Sequence, residues 1–179
     1  MPFPLGHSAI GLATYHTIDT SPRGSSRWKV LAFIVVLANL PDVDTIAGLV
    51  LAGNGDLYHR GPTHSLVFAF LAGYLASHAW RLGRFIPRLR FSLCFLIIAS
   101  HVIADMTLTE SPVSLLWPFE VHWSAGNSGW GRVIQSAIFS SFQDVGILLV
   151  SMAYIFVLKM VRRWLPEFRV PALARRRIR

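Results

Sequence analysis

The chain has 179 residues, of which 53% are hydrophobic and 15% charged, and its mean hydropathy is +0.49. It carries 17 Lys and Arg against 9 Asp and Glu, which gives a net charge of +8. Disorder is excluded because disordered chains are poor in apolar residues, and a soluble nucleic-acid-binding domain would not combine this charge with long, nearly uncharged runs. The composition instead predicts a polytopic membrane protein whose basic residues lie in loops.

Apolar segments recur along the chain, each close to the roughly 20 residues that cross a bilayer. In chain order they are Pro4–Ile18, Val30–Ala52, His64–Trp80, Phe91–Leu108 and Val145–Val161. Backbone groups in lipid must be paired within a segment, so these segments should be helices. We therefore predict an all-α bundle of about five transmembrane helices in one domain, residues 1–165, followed by a basic tail, residues 166–179.

Basic residues set the orientation of this bundle. Apart from Arg60 and Arg132, they lie in the linker before the second segment, in the loop between the third and fourth, or after the start of the C-terminal run at Lys159. With five crossings these regions share one side, which the positive-inside rule identifies as the cytoplasm. We predict a multi-pass inner (plasma) membrane protein with its N-terminus outside and its tail in the cytoplasm. The tail is then a topology determinant, and no nucleic-acid partner is expected.

Ionisable residues inside membrane segments are costly and usually face a functional interior. Here they are His and Asp, the types found in metal sites and in acid–base catalysis. The set comprises His7, Asp42, Asp44, His59, His64, His101 and Asp105. His101 and Asp105 are four residues apart and so share one helix face, while Pro41 breaks the second segment beside the two Asp residues.

The depth of these residues predicts one common site. At about 1.5 Å per residue from the cytoplasmic ends, the His and Asp residues of four segments lie roughly 16 to 26 Å deep in a core of about 30 Å. We expect a single polar site in the outer half of the membrane, opening outward. The Gly61-Pro62 turn would bring His59 and His64 to it, Thr63 would cap the third helix, and Arg60 could contact a phosphate.

Five sequence blocks in this order resemble the YdjM-type membrane-bound metal-dependent hydrolases of bacteria and archaea. The blocks are Leu5–Gly11, Leu40–Asp44, His59–Ser65, Ser100–Asp105 and Leu115–Phe119. The order of His and Asp is also similar, more distantly, to that of zinc-dependent phospholipases C. This second resemblance implies as metal ligands His7, Asp42 or Asp44, His64, His101 and Asp105.

We therefore predict a metal-dependent hydrolase for a phosphoester or ester of a lipid or lipid-linked substrate. One or two divalent ions, zinc before manganese or magnesium, would be held by His7, Asp42, Asp44, His64, His101 and Asp105. The catalytic residues would be Asp44, as the spare member of the Asp42/Asp44 pair, or His59 as general base, and Arg60 as the phosphate-binding group. The Trp-rich outer loop, residues 109–144, would guide or cover the substrate.

Two other functions use the same residue types. A proton- or ion-coupled transporter also needs buried Asp and His, and it should lack bound metal. A non-enzymatic scaffold would tolerate alanine at His64, His101 and Asp105. His16 and His78, near the cytoplasmic ends, are interpreted as structural contacts between helices.

Overall fold

The structure is a computed structural model that describes residues 4–18, 26–54, 59–108, 112–119, 122–123 and 143–165. The helices of this part are α1 (Pro4–Ile18), α2 (Arg27–Ala38), α3 (Val43–Ala52), α4 (Leu66–His78), α5 (Phe91–Leu108) and α6 (Gln143–Trp164). Two short strands, β1 (Val113–Ser114) and β2 (His122–Trp123), pair antiparallel. The predicted all-α class is confirmed. The predicted basic tail and most of the Trp-rich loop lie outside the described residues.

Length and apolarity mark the candidate membrane spans. Helices α5 and α6 are each long and apolar enough to cross a membrane, and α2 and α3 form a third candidate as a pair bent by 56°. The bend lies at Pro41, which has no amide hydrogen to continue the helix. Helices α1 and α4 have 15 and 13 residues, short of the roughly 20 needed for a full crossing. Five crossings and their orientation therefore stay predictions.

Helix α5 is the central element of the core, because it packs against α1, α2 and α4. Its apolar face is fully buried at Ile97 and Ile98, next to Ile34 and Ala38 of α2. Glycines allow the helices to approach closely. A Cβ at Gly11 would lie 2.6 Å from Ala38 Cβ, and a Cβ at Gly73 would lie 2.9 Å from the Phe95 backbone. These contacts fix the helices that carry the polar site.

Helix α6 is bound to α1 at both of its ends. Asp144 at the start of α6 accepts a hydrogen bond from the Gly6 amide at 3.1 Å. Arg162 near its end donates to the carbonyl oxygens of His16 and Thr17, both at 2.6 Å. The negative charge of Asp144 thus lies at the N-terminal end of α1 and the positive charge of Arg162 at its C-terminal end, which complements the helix dipole. The first turn of α1, which contains His7, is thereby fixed in place.

Candidate metal centre

The polar residues of four chain regions meet in one buried cluster. Helix α1 supplies His7, the α2–α3 bend supplies Asp42 and Asp44, and α5 supplies His101 and Asp105. The remaining members, His59, Arg60 and His64, come from the turn that precedes α4. The structure thus brings together every residue that the sequence singled out for the site. Asp42 has the most exposed side chain, at 23%, so the cluster is open beside it.

One group of possible metal ligands lies between α1 and α5. It comprises His7, Asp42, His101 and Asp105, whose ligand atoms all lie within 4.8 Å of one another. His101 Nε2 is 3.3 Å from Asp42 Oδ1, and His7 Nε2 is 3.4 Å from Asp105 Oδ1. The two imidazole rings stack with centroids 3.6 Å apart. His101 and Asp105 enter the same group because four residues place them on one face of α5.

A second group lies beside the first and shares its two carboxylates. It comprises Asp42, His59, His64 and Asp105, again with ligand atoms within 4.8 Å of one another. His64 Nε2 is 3.6 Å from Asp42 Oδ1 and 3.4 Å from Asp105 Oδ2. The 3₁₀ turn Pro62–His64 places His64 here with its side chain fully buried.

These separations have the size expected around a divalent ion. Nitrogen and oxygen ligands bind zinc at about 2.0–2.2 Å, and a tetrahedron of that size has edges of about 3.4 Å. The four His–Asp distances given above run from 3.3 to 3.6 Å, longer than most hydrogen bonds. Imidazole with carboxylate is also a donor set suited to zinc and other divalent ions. The residues present therefore fit a metal ion.

Asp44 makes contacts of a different kind. Its Oδ1 accepts from His59 Nδ1 and its Oδ2 from His64 Nδ1, both at 3.0 Å. Oδ2 also accepts hydrogen bonds from the Arg60 amide and the Thr63 hydroxyl. Asp44, predicted to be a ligand, thus lies outside both groups and behind the two imidazoles. A carboxylate in this position fixes the orientation of both rings, and it leaves His64 Nε2 facing Asp42 and Asp105.

The hydrogen bonds also determine which ring nitrogens carry protons. His101 Nδ1 lies 2.7 Å from the Ala38 carbonyl oxygen, which can only accept, so Nδ1 is the donor. His64 Nδ1 likewise donates to the Asp44 carboxylate. In the neutral rings both Nε2 atoms then carry lone pairs, and these atoms are 3.2 Å apart. Such a pair repels unless a proton or a metal ion lies between or beside them.

Several buried nitrogens of the cluster lack hydrogen-bond partners within the described part of the chain. They are His7 Nδ1, His59 Nε2 and Arg60 Nε. An unsatisfied buried donor or acceptor costs about 1–3 kcal/mol, so these three atoms are positions that a bound ion, an anion or water would satisfy. Arg60 Nε is 3.8 Å from Asp105 Oδ2, too far for a hydrogen bond.

Arg60 has an unusual backbone conformation for a residue with a side chain. Its φ is +67°, in the left-handed region. Its amide donates to Asp44, and its carbonyl accepts from the Ser114 amide at 3.3 Å. Strained conformations of this kind persist where the surroundings impose them, often at functional sites. Here the two backbone hydrogen bonds hold the charged Arg60, which is only 9% exposed, against the cluster.

An apolar turn lies next to the cluster. The Leu66 amide donates to the Leu115 carbonyl at 2.9 Å, which joins this turn to the start of α4. The turn exposes Leu116 at 42%, Trp117 at 41% and Phe119 at 79%. This is the first part of the predicted Trp-rich loop, and it places exposed apolar side chains beside the site.

Two features of the site region differ from the sequence predictions or were missed. Thr63 is not the cap of α4, because Ser65 accepts the hydrogen bond from Phe68 N at 3.0 Å, while the Thr63 hydroxyl bonds Asp44. Ser65 directly precedes the apolar run, which is the usual signal for a cap. The role of the Ala38 carbonyl had no sequence signal, because any residue supplies one.

Comparisons with known proteins agree with a membrane location. The profile of the YdjM inner membrane protein family matches residues 1–165. The chain is also 35% identical over 91 residues to the inner membrane protein YbcI of Escherichia coli (strain K12). That match covers 48% of this chain and 51% of the relative, so it spans about half the length of the curated protein. No solved structure matches the chain.

Proposed function

The chain belongs to the YdjM inner membrane protein family, and we propose that it is a membrane-embedded, metal-dependent hydrolase. The observation that carries this proposal is the pair of facing Nε2 atoms of His64 and His101, 3.2 Å apart and surrounded by carboxylates. A divalent cation, with zinc as the first candidate, would resolve their repulsion. The substrate would be a phosphoester or ester of a lipid or lipid-linked molecule.

The chain's own residues would hold and orient such an ion. His101 is fixed by Ala38 and His64 by Asp44, so each presents Nε2 without a further change of conformation. Asp42 and Asp105 supply the negative charge that a divalent ion requires. When bound, the ion would supply Lewis-acid polarisation of the scissile group and lower the pKa of a bound water.

Arg60 would bind the anionic part of the substrate. Its guanidinium is buried beside Asp105, and its Nε has no hydrogen-bond partner among the described residues. A planar guanidinium matches two oxygens of a phosphate. The lone pair of His59 Nε2 remains available to a proton or a cation, because Nδ1 is held by Asp44.

An amphiphilic substrate fits the surroundings of the cluster. Trp117 and Phe119 are exposed on the turn that packs against the start of α4, and aromatic residues suit a membrane–water interface. A lipid headgroup could reach the opening at Asp42 while its chains stay in the bilayer. We place the site on the extracytoplasmic side from the distribution of basic residues.

The test is hydrolysis by the full chain in lipid nanodiscs. A panel of phospholipids and lipid-linked phosphates would be assayed with and without chelator, beside the variants Asp105→Asn and His16→Ala. We expect chelator-sensitive hydrolysis that Asp105→Asn abolishes and His16→Ala retains, since His16 lies at the far end of α1 from His7. Hydrolysis that persists in Asp105→Asn would refute the proposal.

A proton-coupled transporter is the second candidate, and it rests on the same pair of Nε2 atoms. A proton shared by His64 and His101 would also remove their repulsion, and partly exposed Asp42 could exchange it with water. This function predicts no bound metal and solute uptake by proteoliposomes that depends on a proton gradient. Metal content therefore separates the two candidates before any substrate is known.

A further inference from the structure

We infer that the cluster holds two divalent ions, bridged by the carboxylates of Asp42 and Asp105. The inference rests on the proposed metal dependence and adds a second ion position, with His59 and His64 as its own ligands. It follows from how the two groups of ligands overlap. Each has two histidines of its own, His7 and His101 in one and His59 and His64 in the other, and both use the same two aspartates.

The orientation of Asp105 is that of a bridging carboxylate. Its Oδ1 lies 3.4 Å from His7 Nε2 in the first group, and its Oδ2 lies 3.4 Å from His64 Nε2 in the second. The two oxygens of one buried carboxylate thus face histidines of different groups. Ions that share such bridges lie about 3.5–4 Å apart in two-metal sites.

The second position is prepared by Asp44. One of its oxygens holds His59 Nδ1 and the other holds His64 Nδ1, each at 3.0 Å. One buried carboxylate therefore orients both histidines that belong to the second group alone. A single ion in the first group would contact neither of these two histidines.

His59 gives independent evidence for the second ion. Its side chain is 7% exposed, and its Nε2 has no hydrogen-bond partner among the described residues. Because Asp44 receives the Nδ1 proton, Nε2 of the neutral ring carries a buried lone pair. An ion in the second position would satisfy that atom, whereas an ion in the first position alone would leave it buried and unpaired.

Two ions would also select the substrate. With Arg60, they would outweigh the charge of Asp42, Asp44 and Asp105 and leave the cluster net positive. A phosphoester would neutralise this charge, and two ions can hold both the attacking and the leaving oxygens. An uncharged carboxylic ester would not neutralise the positive charge. Of the two ester classes, the pair therefore favours phosphoesters.

Titration of the metal-free full chain in nanodiscs with Mn²⁺ tests the inference. We expect two equivalents per chain and an exchange-coupled electron paramagnetic resonance spectrum, readouts that require neither substrate nor a variant. His59→Ala should bind one equivalent and give the uncoupled signal of isolated Mn²⁺. His78→Ala is the matched control and should keep both, since His78 lies at the other end of α4.

Each outcome is decisive. One equivalent in the wild-type chain, or two without coupling, would overturn the bridged pair. Unchanged stoichiometry in His59→Ala would also overturn it, because His59 would then not be a ligand. One equivalent together with chelator-sensitive hydrolysis would leave the proposed function standing. No bound metal at all would overturn both.

Discussion

His64 Nε2 and His101 Nε2 face each other at 3.2 Å, and because each Nδ1 donates its proton elsewhere, both Nε2 atoms carry lone pairs when the rings are neutral. Two lone pairs at this distance repel, and the rings are fully buried, so water does not screen them. The helices can hold this arrangement when a cation compensates it. The same relationship explains why two carboxylates, Asp42 and Asp105, lie against these nitrogens in a largely apolar bundle.

Replacing Asp44 should weaken metal binding although Asp44 is in neither ligand group. In Asp44→Asn the side chain can no longer accept from both His59 and His64, so the two rings lose their fixed orientation. Loss of such an outer partner typically costs 10–100-fold in metal affinity. We expect a decrease of about that size by competition with a chelating dye. Thr107→Val, on the last turn of α5, is the control, and an equal affinity in Asp44→Asn would contradict the supporting role.

Replacing Arg60 should separate substrate binding from metal binding. Arg60→Gln removes the guanidinium but no metal ligand, so metal content should stay at the wild-type level. Loss of one positioned donor to a developing charge costs about 10²-fold in kcat, and we expect kcat/KM to fall by at least that factor. Arg88→Gln, in the loop before α5, should retain activity. A parallel loss of metal and activity in Arg60→Gln would show that Arg60 acts through the metal site instead.

The close packing of α4 on α5 predicts a position where one methyl group is not tolerated. In Gly73→Ala the new Cβ would lie 2.9 Å from the Phe95 backbone, so the helices must move apart. Overpacking of this kind costs about 1–3 kcal/mol, which a lower unfolding temperature in detergent should report. Gly83→Ala is the matched control, because a Cβ there meets no atom within 4 Å in the described structure. Equal unfolding temperatures would refute the contact.

The orientation can be tested with single cysteines. Cys94 is fully buried in α5, so the wild-type chain should not react with a membrane-impermeant maleimide. Phe119→Cys, at a position that is 79% exposed near the site, should be labelled in intact spheroplasts. Arg84→Cys, in the basic loop, should be labelled only after permeabilisation. The reverse pattern would place the site on the cytoplasmic side.

The residues that the structure brings together could be singled out from the sequence, because each stood out against an apolar background. Pro41 indicated the break between α2 and α3, and the spacing of His101 and Asp105 indicated a shared face. Ionisable residues inside a membrane segment are costly in free energy, so each His and Asp was conspicuous. These signals are local, so one sequence was sufficient to find them.

Other features depend on packing between distant segments and had no local signal. Both Asp42 and Asp44 were predicted ligands, and only the approach of the turn before α4 shows that Asp44 lies behind two histidines. The sharing of Asp105 between two groups depends on where its two oxygens point. The first segment was predicted with the bounds of α1, whereas the third, His64–Trp80, is longer than α4, because the turn at Pro62–His64 and the cap Ser65 delay the start of that helix.

Metal content of the purified chain, wild type beside Asp105→Ala, tests the metal site most directly. The protein would be purified in detergent without added chelator, checked for folding by thermal unfolding, and analysed by inductively coupled plasma mass spectrometry. We predict a divalent metal in stoichiometric amount in the wild-type chain and a clear loss in Asp105→Ala. A wild-type chain that binds no metal, even after incubation with Zn²⁺, or equal metal content in the two proteins, would contradict the site.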